Sequence, residues 1–208
     1  MRILIDCDGV MGDFVGGVVD ALNEESLVAE SMGYAARPRY DTTMVTSWEI
    51  ASCLGVPKKR VYDLASQPGF CAALRPLAGA REGVEALRSF GDVYAVTSPI
   101  WSSPYWMHER VGWLKEKMGF DWDHIVFTSS KHILDAAVLI DDKAATIRAW
   151  CGHGSPSVSR NGYPYNMPRP GALWSQPWNV NEPVPPGAVR FDNWVDLLEA
   201  LTGVLKPW

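Results

Sequence analysis

The sequence predicts a doubly wound α/β fold on a parallel sheet, and three observations carry that prediction. Four short apolar runs lack the polar–apolar alternation of a half-solvated strand: Ile3-Leu4-Ile5, Val93-Tyr94-Ala95-Val96, Ile125-Val126-Phe127 and Ala137-Val138-Leu139-Ile140. Strands buried on both faces of a parallel sheet read this way. Amphipathic helical patterns lie between the runs, and such alternation implies parallel strands joined by crossover helices. Each run also stops at Asp or Thr, namely Asp6, Thr97, Thr128 and Asp141. Ligands of these sheets bind beyond the carboxyl ends of the strands. A site rich in carboxylates and hydroxyls is therefore expected there.

The first strand runs into Asp6-Cys7-Asp8-Gly9-Val10, and a helix over roughly 14–31 follows, apolar at Phe14, Val18 and Leu22. Residues about 32–75 form a second helical piece punctuated by Pro38, Pro57 and Pro68. The stretch from Asp6 to Asp92 is far longer than one crossover helix needs, and it emerges beside the expected site. It is read as a small helical cap over residues 15–75, with residues 1–14 and 76–208 as the core domain. Residues 79–90 repeat a helical theme through Val84, Leu87 and Phe90 and stop at Gly91. A helix over about 104–118 carries Trp106, Val111, Trp113, Leu114 and Met118 and closes at Gly119, as a helix C-cap does. Two more helices are expected, from Lys143 to Trp150 and from Asn193 to about Thr202. Residues 151–187 show no periodicity and are rich in Pro, Gly, Asn, Trp and Tyr. An ordered loop is expected there, because Tyr163, Tyr165, Trp174 and Trp178 call for burial.

The 208 residues fit one domain of ordinary size with a small insertion. Hydrophobic residues at 47% and charged residues at 21% exclude intrinsic disorder. The net charge of −5 argues against gripping a nucleic-acid backbone, which draws affinity from clustered basic charge. Four cysteines, Cys7, Cys53, Cys71 and Cys151, lie far apart without zinc spacing and read as reduced thiols of a cytoplasmic protein. No apolar run approaches the roughly 18 residues of a membrane span, and Met1-Arg2 leads straight into a strand, so no leader is expected.

The richest segment is Asp6-Cys7-Asp8-Gly9. Two carboxylates at i and i+2, on a turn leaving a buried strand, project toward one pocket, and Gly9 permits the sharp backbone path. Alone, that pair is a weak signal. Asp141-Asp142 strengthens it, because like charges ~4 Å apart repel by about 4 kcal/mol at an effective dielectric near 20. A cluster of oxygen ligands without His or Cys persists around a hard cation, and points to Mg²⁺. Capping of the following helix accounts for one of the two acids, not both. Thr97-Ser98-Pro99 opens a helix, where a hydroxyl and free N–H groups suit a phosphoryl oxygen, although a simple cap reads the same. Lys131 adds a fixed positive charge, if it is not a solvated surface residue.

Taken together, the order Asp-x-Asp, Thr/Ser, Lys, Asp-Asp over residues 3–142 resembles the haloacid dehalogenase superfamily. More closely, the chain is similar to its 5′(3′)-deoxyribonucleotidase family. The carriers are Asp6-Cys7-Asp8-Gly9-Val10-Met11-Gly12-Asp13-Phe14, Leu74-Arg75-Pro76-Leu77-Ala78-Gly79-Ala80, Thr97-Ser98-Pro99-Ile100, Glu109-Arg110 with Trp113-Leu114, and Leu139-Ile140-Asp141-Asp142. Ser129-Ser130-Lys131 departs from that family's Arg-Asp-Lys, and Arg110 stands where a phosphate-contacting Lys is common. The resemblance implies a phosphatase working through an aspartyl-phosphate. Asp6 is then the nucleophile and Asp8 the general acid and base. Mg²⁺ is held by Asp6, the Asp8 main-chain carbonyl and Asp142, with Asp141 in contact or one shell out. Thr97, Ser98, Lys131 and Arg110 are the expected phosphate ligands. Phe14, Trp48, Phe70 and Trp101 are the expected aromatic contacts to base or sugar, although helical periodicity alone reads Phe14 equally well as core. The expected partner is a small phosphomonoester such as a nucleotide, with a second copy of the chain as a further candidate. Competing readings are a phosphatase for a sugar phosphate or a polynucleotide 3′-end, and an inactive domain binding a protein through residues 160–190.

Overall fold

The four apolar runs all become strands of one sheet, and the reason they carry no alternation is visible in what covers them. The computed structural model describes residues 1–35, 38–153 and 168–205. Its strands are β1 (Arg2–Ile5), β2 (Asp92–Thr97), β3 (Ile125–Phe127), β4 (Val138–Asp141), β5 (Gly171–Trp174) and β6 (Ala188–Phe191). They form a six-stranded sheet in the order β3-β2-β1-β4-β5-β6, with every pairing parallel. On one face, Ile3 and Ile5 of β1 meet Val84 and Leu87 of α5 (Ala80–Leu87), Trp113 and Leu114 of α6 (Trp106–Met118), and Leu197 and Leu201 of α8 (Trp194–Leu205). On the other, Leu4, Val96, Leu139 and Leu173 pack on Ile147 and Trp150 of α7 (Ala144–Gly152). Successive β1 side chains thus reach opposite cores, so both must be apolar.

Local chemistry sets the helix ends. Asp13 accepts the Gly16 N–H at 2.8 Å and starts α1 (Phe14–Ser31). Ser103 Oγ accepts the Trp106 N–H at 3.3 Å, so α6 begins two residues later than the pattern suggested. Gly119, at φ 68°, closes α6, while the Phe120 N–H reaches back to the Leu114 carbonyl at 3.1 Å. Gly83 lies mid-helix in α5, where glycine costs about 1 kcal/mol against alanine. A Cβ there would fall 2.2 Å from the Trp194 ring, so the glycine lets α8 lie flat on α5.

Residues 14–74 hold a third cluster of buried residues, separate from the sheet. Val15, Val18, Val19 and Leu22 of α1 pack on Val45, Ala51, Leu54, Val61 and Leu64. The expected second helical piece is a single turn at Thr42–Met44 followed by α2 (Ile50–Cys53), α3 (Lys58–Ala65) and α4 (Phe70–Ala73). Glu109 of α6 ties this unit to the sheet layer by accepting the N–H groups of Gly69, Cys71 and Ala72 at 2.6, 3.1 and 3.3 Å.

Two strands correct the loop reading of residues 151–187 and its flank. β5 and β6 are four residues each and contain Gly171 and Arg190, so neither shows a strand pattern by itself. Gly171 is required by close approach of α7: a Cβ would lie 2.9 Å from both Cys151 Sγ and Ile147 Cγ2. Trp174 is buried and Trp178 half-buried, whereas Tyr163 and Tyr165 lie outside the described residues. All four cysteines are free, with Cys7, Cys71 and Cys151 buried. Among the described residues no helix is long and apolar enough to cross a membrane.

Candidate active site

The chain crosses over after β3, so β1 and β4 lie side by side while their onward connections run to opposite edges of the sheet. A crevice forms beyond the carboxyl ends of two such strands. Asp6 follows β1, and Asp141 ends β4 with Asp142 just after it, so topology alone brings acids from distant parts of the chain together. Carboxylate oxygens of Asp6, Asp141 and Asp142 all lie within 4.8 Å of one another. Asp141 and Asp142 are buried, and Asp6 is partly so.

Lys131 offsets part of this charge. It is 4% exposed, and its Nζ lies 2.6 Å from Asp6 Oδ1 and 2.7 Å from Asp141 Oδ2. Burial pulls the Lys131 ammonium down, but the two carboxylates outweigh it and its pKa rises. Asp141 is doubly engaged, since its Oδ1 also accepts the Lys143 N–H at 2.8 Å. Burial pushes Asp141 up to about 6 against the pull of Lys131. Asp142 is also pushed well up, by burial first and then by Asp6 and Asp141.

The donor set fits a hard divalent cation. It is all oxygen, and Asp142 Oδ1 is buried without a hydrogen-bond partner among the described residues. Its other oxygen, Oδ2, accepts from Trp178 Nε1 at 2.9 Å. With Asp141 committed to Lys131 and to the backbone, Asp6 and Asp142 are the carboxylates best placed to bind the cation directly.

The turn after β1 is built to bring backbone close to Asp142. Gly9 sits at φ 80°, and a Cβ there would fall 1.9 Å from Asp142 Oδ2. The N–H groups of Met11 and Gly12 both reach the Cys7 carbonyl at 2.8 Å, and the Leu77 N–H reaches the Met11 carbonyl at 2.8 Å. The turn is thereby pinned to the returning segment around Pro76. Gly9→Ala is expected to lower stability by about 2 kcal/mol or more through strain at positive φ, about 4–8 °C in Tm, and to displace Asp142. A thermal melt checks this; an unchanged Tm would mean that the turn relaxes freely.

A cleft of about 710 Å³ opens on Asp6 and Asp141. It is lined by Asp6, Asp8, Ser98, Lys131 and Asp141, and by the aromatic side chains of Phe14, Trp48 and Trp106. A larger cavity, about 890 Å³, runs along α1 and α3 past Asp20, Glu24 and Arg60, and none of the clustered acids lines it. Thr97 ends β2, is fully buried and does not itself line the cleft, and its Oγ1 has no partner among the described residues; Ser98 beside it is exposed to the cleft.

Three expected contacts need correction. Arg110 does not face the cleft. It is fully buried, and its Nη2 donates to Asp8 Oδ1 at 2.7 Å, because the helix rotation that buries Trp113 and Leu114 turns Arg110 inward too. Trp101 is 71% exposed and does not line the cleft, since the chain leaves the sheet edge between Ile100 and Ser103. Phe70 packs edge-on against Phe14 at 5.8 Å and does not line the cleft either. Its place is taken by Trp106, which stacks on Phe70 at 6.4 Å and had been read only as a helix core residue.

Trp178, Gln176 and Asn179 also belong to the site and carried no local signal. Gln176 Nε2 donates to the Gly9 carbonyl at 2.7 Å, and Asn179 Nδ2 to the Asp142 carbonyl at 2.6 Å. Arg190 of β6 holds this loop by donating to Asn179 Oδ1 at 2.8 Å and to the Glu182 carbonyl at 2.7 Å.

A parallel sheet bearing clustered carboxylates and a lysine at its carboxyl edge is the arrangement of haloacid dehalogenase-type hydrolases, and the family to which the chain belongs makes it a phosphoric monoester hydrolase. The fold is shared with a haloacid dehalogenase-like hydrolase from Streptococcus pneumoniae, at a TM-score of 0.55 and 14% identity over 96% of this chain and 97% of that one. The chain belongs to the family described as 5′ nucleotidase, deoxy (pyrimidine), cytosolic type C protein, whose model matches residues 1–183. It is 30% identical to the human mitochondrial 5′(3′)-deoxyribonucleotidase over 152 residues, 69% of this chain and 62% of the relative. To the human cytosolic-type 5′(3′)-deoxyribonucleotidase it is 28% identical over 152 residues, 69% of this chain and 71% of the relative.

Proposed function

We propose that the protein hydrolyses nucleoside and deoxynucleoside 5′(3′)-monophosphates with Mg²⁺ through an aspartyl-phosphate on Asp6. The observation that carries this reading is a single cleft that joins Asp6 and Asp8 to Phe14, Trp48 and Trp106. The carboxylates and Lys131 suit a phosphoryl group, and the aromatic rings suit a base. Trp48 and Trp106 each keep a buried indole N–H with no partner among the described residues, two donors available to a polar substrate. The relatives' names support the same substrate class.

In this mechanism an Asp6 carboxylate oxygen attacks phosphorus in line as the ester P–O bond breaks. Asp8 gives its proton to the departing ester oxygen, then takes one from the water that cleaves the Asp6 acyl phosphate. Burial raises the Asp8 pKa, with Arg110 opposing. Lys131 orients Asp6 by holding Oδ1, so that Oδ2 is the attacking atom. Thr97 Oγ1 and the Ser98 N–H receive phosphoryl oxygens. The Asp6 carboxylate, the Asp8 main-chain carbonyl and Asp142 would hold Mg²⁺, with Asp141 in contact or one shell out, and the ion would supply charge that lets a dianionic phosphate approach Asp6. Residues 15–75 act as a cap, and its Trp48 lines the cleft together with Phe14 of the core. The same reading locates the protein in the cytoplasm.

A comparison of kcat/KM across nucleotides, sugar phosphates and 3′-phosphorylated oligonucleotides tests the reading. Mononucleotides are expected to be preferred; preference for a sugar phosphate or an oligonucleotide would overturn it. Phe14→Ala is expected to lower kcat/KM for a nucleotide by roughly 10-fold, the scale of one lost stacking contact, and to spare a small generic ester. Equal losses on both esters would make Phe14 a core residue only.

A further inference from the structure

Arg110 is fully buried, and the chemistry above gives it no part. Its guanidinium lies 4.7 Å from the Trp106 ring and 5.5 Å from the Trp113 ring, wedged between α6's own aromatics and the turn after β1. Nη2 donates to Asp8 Oδ1 at 2.7 Å, while Nε and Nη1 find no partner among the described residues. For stability alone this arrangement is poor. A buried guanidinium with two unpaired donors is disfavoured, and replacing a whole buried ion pair by apolar side chains of similar volume is often neutral or better.

What the arrangement does provide is one orientation for Asp8. The Arg110 bond is the sole hydrogen bond to the Asp8 carboxylate among the described residues, and it occupies Oδ1 from the buried side. The carboxylate still lines the cleft and is 27% exposed. We infer that Arg110 is a positioning residue that fixes Asp8 by Oδ1, so that Oδ2 carries the proton to the leaving oxygen and later takes one from water. The inference rests on the reading of Asp8 as acid and base.

The test compares two esters by kcat/KM, which reports the steps through cleavage of the ester bond. A nucleoside 5′-monophosphate leaves as an alkoxide and needs the proton; p-nitrophenyl phosphate leaves as a stable phenolate and does not. Arg110→Met is expected to lower kcat/KM by about 100-fold on the nucleotide, the low end for general acid catalysis, and by less than about 10-fold on p-nitrophenyl phosphate. Its Tm is expected to fall, because Asp8 loses its one hydrogen-bonded charge partner among the described residues. Arg110→Lys, which keeps one donor and the charge, is expected to recover about 10-fold of the nucleotide loss, and it carries the comparison alone if Arg110→Met does not fold. Equal losses on the two esters, or a loss confined to KM, would make Arg110 a phosphate ligand or a packing residue and overturn the inference. Asp8→Asn, run on the same pair, separates the two levels. If it spares p-nitrophenyl phosphate while the Arg110 variants do not, only the positioning inference fails. If Asp8→Asn lowers both esters equally, the acid–base reading of Asp8 fails.

Discussion

Asp6→Asn is expected to fold and to release no phosphate, with turnover lower by on the order of 10⁴-fold or more, the scale seen when a nucleophile is removed. An amide matches the carboxylate in shape but lacks the charge and the free oxygen needed to attack phosphorus. The fold is expected to survive because the substitution removes one charge from three acids that meet within 4.8 Å. Like charges at ~4 Å repel by about 4 kcal/mol at an effective dielectric near 20. Lys131 loses one partner at 2.6 Å but keeps Asp141 at 2.7 Å. Melting in chelator is therefore expected to show an equal or higher Tm beside the absent activity. Near-normal turnover by Asp6→Asn would put the nucleophile elsewhere.

Removal of the divalent cation is expected to abolish activity, and adding Mg²⁺ at about 100 times its Kd to stabilise the fold by about 2.7 kcal/mol, roughly 5–10 °C in Tm. Asp142→Asn should lose both responses, because it removes the carboxylate whose Oδ1 has no internal partner. The Mg²⁺-induced gain in Tm has a definite pH sign. Folded Asp141 holds its proton up to about pH 6, above the ordinary carboxylate range, so between about pH 4 and 6 the metal-free folded state binds more protons than the unfolded chain. Metal-free stability from this group therefore falls as pH rises through that window. A cation competes with those protons, so the Mg²⁺ gain should grow from pH 4 to 6. Activity that persists in chelator, or a Tm indifferent to Mg²⁺, would remove the metal from the mechanism.

The parts legible in the sequence are those decided by neighbours along the chain. The run Ile3-Leu4-Ile5 reads as a central strand because its side chains alternate between two apolar layers, and α1 spans Phe14–Ser31 as its apolar spacing implied. Gly119 closes α6 for a local conformational reason, and Gly9 is demanded by its positive φ. The meeting of Asp6 with Asp141 and Asp142 was inferable too, because acids at the carboxyl ends of adjacent parallel strands share one crevice. β5 and β6 were not legible. Four residues with a glycine or an arginine become strands only by pairing with an edge already made by β4.

By itself the sequence determined the strand–helix alternation, the acidic carboxyl edge of the sheet and the tight turn that carries Asp6 and Asp8. Only the tertiary structure decided that Arg110 faces inward to Asp8, that Trp106 rather than Trp101 or Phe70 lines the cleft, and that Trp178 holds Asp142. The physical reason is range: backbone preferences and apolar period act over a few residues. Where a side chain on a helix or loop points is settled by how that element rotates and docks on others, and Trp178 and Asp142 lie 36 positions apart in the chain.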